Sequence, residues 1–72
     1  MDRQFYLDHG WRFRRVVIGG KEIIEGAGFC PRCSGPLRIE LMEEQPKSDT
    51  ACTADGVRLT FELPIPPDLV DP

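Results

Sequence analysis

The fold is decided by CPRCSG at residues 30–35, read together with CTADG at residues 52–56. Cys30 and Cys33 bracket two residues, Cys52 and Asp55 bracket two more, and eighteen residues separate Cys33 from Cys52. This spacing satisfies a metal-ligand template of two C-x2-C pairs at three of its four positions, with Asp55 where a fourth cysteine would stand. Pro31 fixes φ inside the first turn. Gly35 and Gly56 follow the pairs, where residues free to take positive φ let a turn wrap its backbone amides toward the sulfurs.

These two turns resemble the knuckles of the zinc-ribbon family, and the resemblance runs from Phe29 to Leu63. It implies a ribbon fold in which each knuckle sits on the tip of a β-hairpin and the pair clamps one structural Zn2+ through Cys30, Cys33 and Cys52. Three readings of the fourth position stay open. Asp55 holds the knuckle slot, and a carboxylate ligates zinc at about 2.0–2.2 Å. His9 is the alternative, provided that the N-terminal segment folds back. In the third reading the site is degenerate, Asp55 is an ordinary Asp-Gly turn residue and Cys52 a small buried side chain.

Outward from the knuckles the chain reads as mostly β. Val57, Leu59, Phe61 and Leu63 alternate with polar residues, as do Leu37, Ile39 and Leu41 in a strand reaching Glu43, so each has one buried and one wet face. The two are expected to pair with each other. Residues 11–25 form a second hairpin around Gly19-Gly20, which sets Val16 opposite Ile23 and Arg14 opposite Glu25. Trp11 and Phe13 then fall on the face opposite Val16 and Ile18, which suggests a bulge or a strand end near Arg14-Arg15. A helix over residues 3–18 is disfavoured because it places arginines in its own apolar stripe. The reading is one domain over residues 1–63, a ribbon at 29–63 beside the hairpin, and an extended Pro-rich tail at 64–72.

Seventy-two residues bury too little surface to be comfortable without a staple. Three cysteines cannot close a disulfide framework, and MDRQFYLDHG has no apolar leader core, so a reducing cytoplasmic setting is expected. No uninterrupted apolar run exceeds three residues, as in Val16 to Ile18, far too few to cross a bilayer. Net charge is −3, which argues against strong non-specific affinity for nucleic acid, yet residues 1–38 hold seven basic against four acidic side chains.

Trp11-Arg12-Phe13-Arg14-Arg15 in that positive half is a candidate binding surface for a protein partner or for nucleic acid. The alternative is that Trp11 and Phe13 are core. One histidine and two serines supply no catalytic constellation. The pair at Cys30 and Cys33 runs into Ser34-Gly35-Pro36 rather than the helix that a dithiol oxidoreductase uses. The expected function is a non-catalytic zinc-binding adaptor or accessory subunit with a protein partner and no small-molecule substrate. The alternative is a nucleic-acid-binding ribbon in transcription, translation or phage-like regulation.

Overall fold

A computed structural model describes residues 2–71. The protein is mostly β, with one short helix and two antiparallel hairpin systems. Helix α1 (Arg3–Asp8) opens on Asp2, whose carboxylate accepts from the Phe5 amide at 2.9 Å and so satisfies one of the amides that a helix start leaves unpaired. It stops at His9 and Gly10, where φ turns positive. The helix disfavoured over residues 3–18 is therefore present in the first part of that span, over Arg3–Asp8, and gives way to strand before the Arg12, Arg14 and Arg15 that argued against it.

Strands β1 (Arg12–Ile18) and β2 (Lys21–Phe29) pair around Gly19-Gly20 in the expected register, with Val16 opposite Ile23 and Arg14 opposite Glu25. The Arg14 guanidinium donates to Glu25 at 3.0 Å. The expected break near Arg14-Arg15 is absent, since β1 pairs continuously from Arg12 to Ile18. The mismatch of faces has a simpler cause: Trp11 and Phe13 point into the core, and beyond them the strand outruns the core, leaving Val17 68% and Ile18 57% exposed.

Strand β3 (Pro36–Met42) pairs antiparallel with β2, while β4 (Lys47–Ala51) pairs with β5 (Arg58–Glu62). This corrects the expected pairing of the Leu37 strand with the Val57 strand. Each knuckle is a short local connection that folds its own flanking strands together, and the sequence of β4, KSDTA, carries no apolar alternation to mark it as a strand. The nine-residue β2 is shared by both hairpins of the larger sheet.

The tail is also corrected. Ile65 and Leu69 are buried, residues Pro67–Leu69 make a 3-10 turn, and β6 (Val70–Asp71) pairs parallel with β1 at Phe13 and Arg14. The larger sheet therefore runs β3-β2-β1-β6, and β4-β5 forms the second. Tyr6, Trp11, Phe13 and Phe61 pack between them, with Trp11 and Phe61 tilted at ring centres 4.6 Å apart and Tyr6 and Phe13 edge to face at 5.2 Å. Gly28 is the floor under Trp11, since a Cβ there would stand 2.2 Å from the indole. Among the described residues, no helix is long and apolar enough to cross a membrane.

Candidate metal centre

The two knuckles are the tips of two hairpins. Phe29 and Pro36 close the β2–β3 tip, Ala51 and Arg58 close the β4–β5 tip, and each tip holds six residues. Their backbones repeat one pattern. In the first, the Cys30 amide donates to the Gly35 carbonyl at 2.8 Å and the Ser34 amide to the Cys30 carbonyl at 2.9 Å. In the second, the Cys52 amide donates to the Val57 carbonyl and the Gly56 amide to the Cys52 carbonyl, both at 2.8 Å. Hydrogen bonding closes each tip around its two candidate ligand residues.

Residue by residue, Cys33 and Asp55 then occupy the same place, as do Ser34 and Gly56. The positive φ that closes each tip falls on Ser34 (63°) and Gly56 (76°). The glycine reading therefore holds for Gly56 and is corrected for Gly35. Gly35 lies instead under a sulfur, where an added Cβ would stand 3.3 Å from Cys33 Sγ. Its amide donates to that sulfur at 3.4 Å, and the equivalent Val57 amide donates to Asp55 Oδ1 at 3.0 Å. Asp55 thus receives the backbone support that the first tip gives to a cysteine. Nothing in the type of Ser34 or Val57 marks these roles, although counting four and five residues from each leading cysteine finds both positions.

Across the tips, Cys30 Sγ stands 3.1 Å from Asp55 Oδ2 and Cys33 Sγ 3.4 Å from Cys52 Sγ. The four candidate ligand atoms all lie within 4.8 Å of one another. Neighbouring ligands of a tetrahedral ion with bonds of about 2.3 Å to sulfur stand about 3.8 Å apart, so one metal ion fits among them. Cys30 and Cys52 are buried, Asp55 half-buried and Cys33 exposed.

Three thiolates and a carboxylate around a divalent ion leave a local charge of about −2, which the Gly35 and Val57 amides offset in part. Without a cation the crowding is visible in the acidities. The Gly35 amide favours the Cys33 thiolate, yet the Cys52, Asp55 and Cys30 side chains together outweigh it and push the thiol up to about 12. The Val57 amide, followed by the Cys30 thiol, holds the Asp55 carboxyl well below the usual carboxylate range. In the metal-free cluster Cys33 is held as the thiol, and the Asp55 carboxylate accepts from Cys30 Sγ.

No family model, curated protein or solved structure matches the chain. Its likeness to zinc ribbons therefore rests on the knuckle residues and on this geometry.

Of the residues singled out in the sequence, Cys30, Cys33, Cys52 and Asp55 come together and His9 does not join them. The His9 ring packs on Phe5 with centres 4.8 Å apart, and its carbonyl accepts from the Phe29 amide at 3.0 Å, which ties the end of α1 to the strand entering the first knuckle. Trp11 and Phe13, expected on a binding surface, are 0% and 1% exposed. That placement is corrected, because they bridge the two sheets and meet no solvent. Arg12, Arg14 and Arg15 do face solvent, each in an ion pair, with Asp71, Glu25 and Glu22 respectively.

Proposed function

We propose that the chain is a small, non-catalytic zinc-ribbon adaptor or accessory subunit, in which one structural Zn2+ ties the two hairpin tips together and the remaining surface docks a protein partner in a larger complex. The observation that carries the zinc reading is the equivalence of the tips: the same hydrogen bonds, the same positive-φ residue and the same supporting amide converge four ligand atoms from two separate hairpins. Three sulfurs with one carboxylate suit the borderline-soft Zn2+ better than Cu(I) or Mg2+. When bound, the ion supplies a cross-link and folding free energy to a chain too small for a generous core. Cys30, Cys33, Cys52 and Asp55 hold it, while Gly35 and Val57 orient Cys33 and Asp55.

The partner reading rests on what the surface offers. Arg12, Arg14 and Arg15 spend their charge on carboxylates, which favours a protein over nucleic acid. Val17 and Ile18 present apolar side chains at the hairpin end away from the knuckles, a composition suited to a protein contact. Free thiols and a thiolate-bound metal suit a reducing compartment such as the cytoplasm.

Elemental analysis tests the zinc reading. About one equivalent of zinc is expected, removed by a chelator together with the cooperative melting transition, and a metal-free protein that melts cooperatively at an unchanged temperature sinks it. The adaptor reading is tested by co-purification with wild type and with Val17→Asp/Ile18→Asp, where loss of a stoichiometric protein partner is expected. Salt-sensitive binding to single-stranded or duplex nucleic acid, abolished by Arg12→Gln/Arg14→Gln/Arg15→Gln, would replace it with the nucleic-acid reading.

A further inference from the structure

We infer that Cys33 and Cys52 form an oxidation site at which a hydroperoxide converts the two thiols to a disulfide joining the hairpin tips and expels the metal, leaving Cys30 as the single free thiol. Only the metal release rests on the zinc reading; the choice of partners comes from the cluster itself.

The three sulfurs differ in access and in company. Cys33 is the exposed one, whereas Cys30 and Cys52 are buried, so an oxidant in solution meets Cys33 first. The sulfur of Cys52 lies against it at 3.4 Å, close to the roughly 2.0 Å of a disulfide bond. Cys30 is the nearer residue in sequence and its side chain also faces Cys33, but its thiol is engaged by the opposite tip, donating to Asp55 Oδ2 at 3.1 Å. The C-x-x-C spacing suggests a bond within the first knuckle, and the geometry favours one between the knuckles. Asp55 is the reason a third thiol has no partner: where a fourth cysteine would complete two pairs, the carboxylate leaves an odd sulfur.

The chemistry balances in two displacements. The Cys33 sulfur, a thiolate where it holds the metal and otherwise giving up its proton to solvent as it reacts, attacks one peroxide oxygen, the O–O bond breaks, and hydroxide (alkoxide from an organic peroxide) leaves, giving Cys33 sulfenic acid. The Cys52 thiolate then attacks the Cys33 sulfur, the S–O bond breaks and a second hydroxide leaves. Each leaving anion takes a proton from solvent. Two sulfurs have lost two electrons, and one hydrogen peroxide has become two waters. A divalent ion is left with Cys30 and Asp55 alone among the four ligands, too few to hold it. The tips exchange a metal cross-link for a covalent one, so the hairpins stay tied.

Tryptic peptide mapping reads the pairing directly, because cleavage places Cys30, Cys33 and Cys52 on separate peptides, residues 22–32, 33–38 and 48–58. The metal-loaded full chain is treated with hydrogen peroxide, the remaining thiols are alkylated with iodoacetamide, and the non-reduced digest is mapped while a chromophoric chelator follows released zinc. The expected result is peptide 33–38 joined to 48–58, peptide 22–32 alkylated, and metal release in step with loss of two of the three thiols. Cys30→Ser keeps the same cross-link. A bond between 22–32 and 33–38, a cross-link between two molecules, or three peptides still alkylated would overturn the inference. If the purified protein holds no zinc, the zinc reading fails while the mapping still decides the disulfide.

Discussion

Ser34 and Gly56 hold equivalent places in the two tips, yet only glycine suits the conformation found there. A left-handed backbone costs an L-residue about 1–2 kcal/mol, so Ser34→Gly should raise the stability of the metal-loaded protein by about 1 kcal/mol, and Gly56→Ala should lower it by a similar amount. Thermal melting checks both. A shift of about 4–8 °C per kcal/mol is expected for a domain of this size, and shifts of the same sign in the two variants would contradict the equivalence of the tips. At the ligand positions, Asp55→Ala should weaken zinc binding by at least about tenfold, and His9→Ala should leave it near wild type, since the His9 ring packs on Phe5 outside the cluster. Competition against a chromophoric chelator ranks the two, and the reverse order would transfer the ligand role to His9.

At the level of elements, the tail carries more than its composition suggests. Four prolines among residues 64–72 read as extended chain, but Ile65 and Leu69 turn inward onto the core that Phe61 and Tyr6 begin, and proline composition masks two buried residues four apart. Leu69→Ala should therefore cost about 2–5 kcal/mol; denaturant unfolding that finds it neutral would return the tail to the status of a loose end. The first hairpin was legible because two glycines fix a turn and the register follows from it. The pairing of β3 with β2 was not, because alternation reports that a strand has a dry face and says nothing about its neighbour. At the site, the cysteine spacing announced the ligands, whereas the exclusion of His9 depended on where α1 ends, and no local signal in residues 1–10 places that ring on Phe5. Trp11 and Phe13 illustrate the same limit: aromatics between arginines describe an interface and a core-facing strand equally well.

For the whole molecule, the core lies between the two sheets and the candidate metal centre beyond it, at the end where the β2–β3 and β4–β5 tips meet. A metal there cross-links hairpins that otherwise meet through the shared core, the β3–β4 segment and the tail's pairing with β1, so its loss should lower the stability of the whole molecule, and pH is a lever on it. In the metal-free protein, Cys33 is pushed up to about 12, a stabilising contribution that is fully present below the ordinary thiol pKa and lost only as pH rises through the raised value. Asp55 is held low, a contribution present above the ordinary carboxyl pKa of about 3.9 and lost as pH falls through its depressed value. Between about pH 5 and about pH 8 neither group titrates, and the metal-free stability they supply is flat. Metal binding behaves oppositely, because each thiol must release its proton to become a ligand. The difference in Tm between zinc-loaded and chelator-treated protein should therefore shrink steadily as pH is lowered from about 8 to about 5, with most of the change in the loaded form. Calorimetry of both forms at matched ionic strength measures it. A difference that stays constant with pH would mean that the thiols do not hold the ion as thiolates, and the cluster would then be a hydrogen-bonded contact between two turns.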